Sequence, residues 1–136
     1  LIDESYNANP ASMRATLKAL AQTPAVRRLA VLGSMKELGD FADAFHRQLA
    51  EPIAEAGLAH AILVGPEMAA LAEELGKGAG GSLGKALTFA HCEGPAEAIA
   101  ALAAFGLANG DAVLVKGSNS VGLGRLVSHL TDNARA

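Results

Sequence analysis

Apolar positions along this chain follow two alternating rhythms. Met13, Leu17 and Leu20 fall at i, i+4 and i+7, the stripe of a helix with one buried face. Asn9-Pro10 ahead of them reads as a cap followed by the first helical position. "RRLAVLG" (27–33) is a short, continuous apolar run ending in glycine, the pattern of a strand covered on both faces. Phe41, Phe45, Leu49 and Ile53 form a second helical stripe, with Asp40 and Asp43 as its expected caps. Pro52 lies inside that stripe and predicts a kink or a restart. "HAILVG" (60–65) reads as a strand, and Pro66 opens a helix through Met68, Leu71 and Leu75 that Gly76 should end. "LTFAH" (87–91) is a further strand, followed by a helix from Pro95 through Ile99, Leu102 and Phe105, closed by Asn109-Gly110. "DAVLVKG" (111–117) is the last strand, and Leu123, Leu126, Val127 and Leu130 mark a final helix. The opening Leu1–Ile2 leads into a first strand ending near Asp3.

Strand and helix thus alternate about five times, with no fixed-length repeat. That order predicts an α/β fold: a doubly wound, mostly parallel sheet of about five to six strands with helices on both faces, residues 1–136 forming one domain. Folds of this class bind ligands beyond the carboxyl ends of their strands. The stretches that matter are then the turns 3–9, 33–40, 65–66, 91–94 and 116–120.

Composition narrows the function classes. The net charge is −3, which recommends neither nucleic acid nor an anionic membrane as a partner. Trp is absent, so base-stacking platforms are not expected. A single cysteine, Cys92, excludes an internal disulfide and a cysteine-rich zinc site and fits a reducing cytoplasm. The longest uncharged apolar run, "AIAALAAFGLANG" (98–110), is too short to cross a bilayer. The chain opens without Met, directly inside a strand, so a larger parent protein is expected.

Two turns carry candidate chemistry. In "DESYNANPASM" (3–13), Asp3 at a strand's carboxyl end is placed to accept ribose hydroxyls, and Tyr6, Asn7 and Asn9 offer a ring, donors and acceptors. The alternative is that Asn9 only caps the helix and Tyr6 only covers the turn. In "VKGSNSVG" (115–122), a strand ends at Lys116 and a helix would start near Ser118–Ser120. Free N–H groups, a hydroxyl and an ammonium would then make an anion site, with Gly117 admitting a ligand to the backbone. The alternative there is a flexible turn capped by Ser118.

Other motifs are weaker. No G-x-x-x-x-G-K-[ST] phosphate loop occurs, and the glycines of "GKGAGGSLGK" (76–85) follow a helix and read as an exposed loop. "LGSMKELGD" (32–40) reads as a solvated loop, and His46 as a surface residue on a helix's polar side. His60, His91 and His129 lack metal-ligand spacing, and Cys92 beside His91 reads as an inert thiol.

"DESYNANPASMRATLKAL" (3–20), "VLGSMKELGD" with His46 following (31–46) and "LVKGS" (114–118) together resemble the C-terminal domain of the Mur ligases. The Tyr6-Asn7-Ala8-Asn9-Pro10 string resembles the branch that adds D-alanyl-D-alanine to UDP-N-acetylmuramoyl-tripeptide in peptidoglycan precursor synthesis. The resemblance implies an ATP-dependent peptide ligase of the cytoplasm, with ATP and Mg²⁺ used by the intact enzyme and neither held by this chain alone. It implies a P-loop in a central ATPase domain and a UDP-substrate domain at the N-terminus as partners in the same chain. No catalytic residue would lie here. Asp3, Tyr6, Asn7 and Asn9 would face the adenine and ribose, and Lys116, Gly117, Ser118 and Asn119 the D-alanyl-D-alanine. Ser34 stands where many members have Asp, and Asn119 where many have Arg, which removes a fixed fork for a carboxylate. The competing reading is a self-contained α/β small-molecule-binding module without ATP chemistry.

Overall fold

Short apolar strands joined by helices must pair in parallel, because each helix carries the chain back to the starting edge. The computed structural model describes residues 1–4, 9–36, 38–78, 88–117 and 122–135, with the backbone alone for 4, 77, 78, 129 and 131–135. Its strands are β1 (Ile2–Glu4), β2 (Arg27–Gly33), β3 (His60–Val64), β4 (Thr88–Cys92) and β5 (Asp111–Lys116). They form one parallel sheet in the order β1-β5-β2-β3-β4. The expected parallel α/β class holds, with five strands.

The helices are α1 (Pro10–Ala21), α2 (Ala42–Arg47), α3 (Ala50–Glu55), α4 (Ala69–Gly78), α5 (Pro95–Phe105) and α6 (Gly124–Arg135). Alternate side chains of each strand feed two core layers. Ala30 and Leu32 of β2 pack with Met13, Leu17, Leu20, Ile53 and Leu71 from α1, α3 and α4. Leu29 and Val31 pack with Ala98 and Leu102 of α5 and Leu126 of α6.

Several local expectations hold and several are corrected. Asn9 caps α1 in a reciprocal box: its Oδ1 accepts from Ser12 N–H at 2.9 Å, and its own N–H donates to Ser12 Oγ at 3.0 Å. The restart at Pro52 is real, since α2 ends at Arg47 and α3 begins at Ala50. Asp40 and Asp43 cap nothing. A 3₁₀ turn, Gly39–Phe41, runs into α2 without a side-chain cap, and Phe41 stays exposed. Gly76 does not stop α4, which continues to Gly78. Helix α5 ends earlier than Asn109-Gly110, at Gly106 with φ +84°. The final helix begins at Gly124, not near Ser118–Ser120. The glycine-rich stretch from 79 to 85 lies outside the described residues.

The amino edge of the sheet is tied by a two-pronged ion pair. Arg27 Nε and Nη2 donate to Asp111 Oδ1 and Oδ2 at 2.9 and 2.7 Å, and Ala108 N–H donates to Oδ2 at 2.8 Å. The Arg27 hydrogen bond, with help from Ala108, outweighs the opposing effect of burial and holds the Asp111 carboxyl below its ordinary value. A depressed folded-state value stabilises the fold above the unfolded value and loses that stabilisation as pH falls through the folded one. Asp111→Asn should therefore destabilise the chain at pH 7, and its deficit should shrink below about pH 3.9. Denaturant titrations of both proteins from pH 7 to 2.5 check this; a deficit independent of pH would contradict it. Because both core layers share one sheet, thermal unfolding should be a single cooperative transition by near- and far-UV circular dichroism. Separate transitions would show that the layers are independent.

Candidate functional site

The carboxyl ends of the strands gather the turns singled out in the sequence. β5 lies between β1 and β2, so Lys116 is in register with Glu4 on one side and Leu32 on the other. Adjacent strands run about 4.8 Å apart. The carboxyl ends of β1, β5 and β2 therefore lie side by side, although they are far apart in the sequence.

Asp3 is exposed in β1, opposite Val115. Asn9 is exposed, with its Oδ1 committed to the cap of α1. Tyr6, Asn7, Ser118 and Asn119 lie outside the described residues. Lys116 closes β5 as expected, with 1 % exposure, the largest of the fully buried side chains. Gly117 has a packing reason that the sequence hides. A Cβ there would sit 3.0 Å from Gly33 Cα and 2.9 Å from Leu123 Cδ1. The groups pressing on it are β2 and Leu123. Helix α6 starts at Gly124, and residues 118–121 between it and Gly117 lie outside the described residues.

The turn after β2 is buried where a solvated loop was expected. Ser34 and Met35 are both inaccessible. Ser34 N–H extends the ladder to the Val64 carbonyl at 2.9 Å, and its hydroxyl donates to the same oxygen at 3.3 Å. His46 is likewise buried rather than on the surface, with Nε2 accepting from Met35 N–H at 2.9 Å. Beyond Met35, the half-buried Lys36 Nζ meets Glu67 Oε2 at 2.7 Å. Burial pushes the Glu67 carboxyl up. The Lys36 ammonium, its own backbone and the nearby Ser34 hydroxyl outweigh that and hold it below the ordinary value. Glu67 Oε1 is buried and makes no hydrogen bond within ordinary geometry to a described residue.

Glu67 comes from the 3₁₀ turn Pro66–Met68, aimed by Gly65 at φ +113°. Sequence reading missed Glu67 and the burial of Ser34 and His46. The Gly65-Pro66 pair was the available signal, because it marks a turn at a strand's carboxyl end. His91 Nε2 donates to the Gly65 carbonyl at 2.8 Å and braces the same turn. Burial, then the Glu97 charge, pushes the Cys92 thiol up, so it stays protonated and inert. Among the described residues, no group of three or more His, Cys, Asp or Glu could hold a metal ion. No helix among them is long and apolar enough to cross a membrane.

This edge can therefore present a fixed ammonium–carboxylate pair and the Asp3 carboxylate to a ligand lying across the strand ends, while Lys116 is buried. Comparison with known proteins shows the family. Residues 1–119 match the family model described as "Mur ligase, glutamate ligase domain". The UDP-N-acetylmuramoyl-tripeptide–D-alanyl-D-alanine ligase of Synechocystis sp. is 44 % identical over 132 residues, covering 96 % of this chain and 27 % of that protein. The ligase of the same name from Mycobacterium tuberculosis is 40 % identical over 144 residues, 96 % of this chain and 28 % of its own length. Among solved structures, MurF from Thermotoga maritima in complex with ADP superposes with a TM-score of 0.72 at 26 % identity, over 97 % of this chain and 28 % of that one. MurF from Acinetobacter baumannii gives 0.76 at 30 % identity, over 94 % and 27 %. The chain spans about a quarter of the length of these relatives.

Gly65 offers a direct test of how the edge is built. A Cβ at this position would fall on Ser34 Oγ, and φ +113° is strained for any L side chain. Gly65→Ala should cost roughly 1–3 kcal/mol in denaturant unfolding. Adding Ser34→Ala should recover only part of that loss, because the dihedral strain remains. Full recovery would mean the contact alone mattered.

Proposed function

The chain belongs to the Mur ligase family, and we propose that it is the C-terminal, substrate-closing domain of a ligase that adds D-alanyl-D-alanine to UDP-N-acetylmuramoyl-tripeptide. The observation that supports this reading is the pairing of β1 with β5, in which Asp3 lies opposite Val115 and Glu4 opposite Lys116. The turn after β1 would meet the nucleotide and the turn after β5 the incoming dipeptide, across a cleft formed with the rest of a longer, cytoplasmic chain. The Thermotoga maritima relative was solved in complex with ADP, which supports nucleotide use by the whole ligase.

In this reading Asp3 accepts ribose hydroxyls, Tyr6 and Asn7 contact the base, and Asn9 contributes the side-chain nitrogen that its cap leaves over. Lys116, Gly117, Ser118 and Asn119 line the dipeptide side. ATP in the whole ligase supplies activation of the tripeptide carboxylate by phosphorylation. The dipeptide amine then attacks the activated carbonyl, and inorganic phosphate leaves. The role of this domain is to orient the amine and close the cleft, keeping water from a bond that hydrolyses readily. P-loop, Mg²⁺ and UDP-sugar contacts would come from the other two domains, so this chain alone performs no turnover.

Two measurements test the reading. In the full-length ligase, Ser118→Ala or Lys116→Met should raise KM for D-alanyl-D-alanine more than KM for ATP. Loss of one charge-assisted hydrogen bond is worth about 1.5–3 kcal/mol. Equal effects on both substrates would make that turn structural. The isolated chain should bind ATP with a Kd of about 1 mM or weaker, because the phosphates find no partner loop here. Shifts in NMR titrations should cluster at residues 3–10, and adenosine should perturb them as strongly as ATP. Micromolar binding, or shifts centred on residues 78–85, would favour a self-contained binding module.

A further inference from the structure

His46 is fully buried, and its two ring nitrogens have opposite partners. Nδ1 lies 2.6 Å from the Ala42 carbonyl one turn earlier in α2, an atom that can only accept. Nε2 lies 2.9 Å from the Met35 main-chain N–H, which can only donate. The ring is thereby fixed as the neutral tautomer carrying its proton on Nδ1.

The position of Met35 gives these bonds a consequence. The β2–β3 ladder makes its last bond at Ser34, so the Met35 N–H has no strand carbonyl to meet. His46 supplies the acceptor and ties the main chain past β2 to the first turn of α2. The next residue is Lys36, whose ammonium reaches Glu67 at 2.7 Å on the turn after β3. Lys36 is thus fixed twice: through the main chain by His46, and at its tip by Glu67. We propose that His46 is a positioning residue of the ligase reaction, setting the Met35 main chain and through it the Lys36–Glu67 pair at the carboxyl edge of the sheet. This rests on reading that edge as the substrate cleft. There the Lys36 ammonium would serve an oxyanion of either substrate, a nucleotide phosphate or the dipeptide carboxylate.

The test is a double-mutant cycle in the full-length ligase. His46→Leu keeps the apolar bulk and removes the acceptor. His46→Gln keeps an acceptor near the Nε2 position. Lys36→Met removes the ammonium with the main chain still held. His46→Leu should lower kcat/KM by about tenfold or more, as expected when a reacting or charged group is displaced within a cleft. His46→Gln should recover most of it. In the Lys36→Met background, His46→Leu should add almost nothing, because both changes act on one group. Whether KM for ATP or KM for the dipeptide moves with Lys36→Met identifies the oxyanion. Equal losses in both backgrounds, or no recovery with Gln, would make His46 merely structural and overturn the proposal. Should His46→Leu fail to fold, ¹⁵N-imidazole NMR of the wild-type ligase keeps the question open to decision. A proton on Nδ1 and an Nε2 coupled to the Met35 amide are expected, and a proton on Nε2 overturns the proposal. A wild-type ligase without dipeptide-adding activity would refute the proposed function instead, while the NMR readout would still judge the His46 clamp.

Discussion

The sheet depends on the arrival of its last strand. β1 has three residues and pairs with β5 alone, so its backbone has a strand partner only once Asp111–Lys116 has entered between β1 and β2. A three-residue strand cannot persist by itself, because its few backbone bonds do not offset the entropy of ordering it. Asp3 in this strand thus pairs with Val115, more than a hundred positions away. The crossover to β5 also runs opposite to the earlier ones. It carries α5 and α6 to the second face and completes both core layers.

That insertion is tight. Gly33 and Gly117 leave room for β5 and β2 to approach, and Leu123 closes over the contact. At the other end, Arg27 grips Asp111 and lies 4.7 Å above the Phe105 ring, whose other neighbour is the stacked His60 at 4.6 Å. The amino edge thus locks with a partly exposed ion pair and stacked rings, while the carboxyl edge locks by close backbone contact. One end fixes register, and the other gathers polar groups at the strand ends.

Polar burial is unevenly distributed. Among the described residues the fully buried polar side chains are Ser34, His46 and Lys116, and all three belong to the carboxyl ends of the two central strands or to what braces them. Burying polar groups costs free energy unless each finds a partner, so such clusters persist where geometry matters more than stability. Ser34 and His46 use their hydrogen bonds to shape the main chain after β2. The Lys36–Glu67 pair stands just outside them, partly in solvent. This grading from buried scaffold to accessible charge is what a site needs if its charged groups are to hold still while a ligand comes and goes.

The sequence by itself determined what depends on neighbouring residues. The period of its apolar positions marked strands and helices, Asn9-Pro10 marked the start of α1, and Pro52 marked the break between α2 and α3, because caps and proline sterics act within a turn or two. The Tyr6–Pro10 string and "LVKGS" carried the family. Only the tertiary structure decided the strand order, and with it which turns share an edge. It also decided that His46 faces inward, although the residues around it in α2 read as a polar face, because the acceptor required by Met35 comes from eleven residues away. Glu67 entered the edge for the same reason, brought to Lys36 by the β2–β3 pairing. Periodicity reports the two faces of one element; which other element covers a face is set by packing between segments distant in the chain.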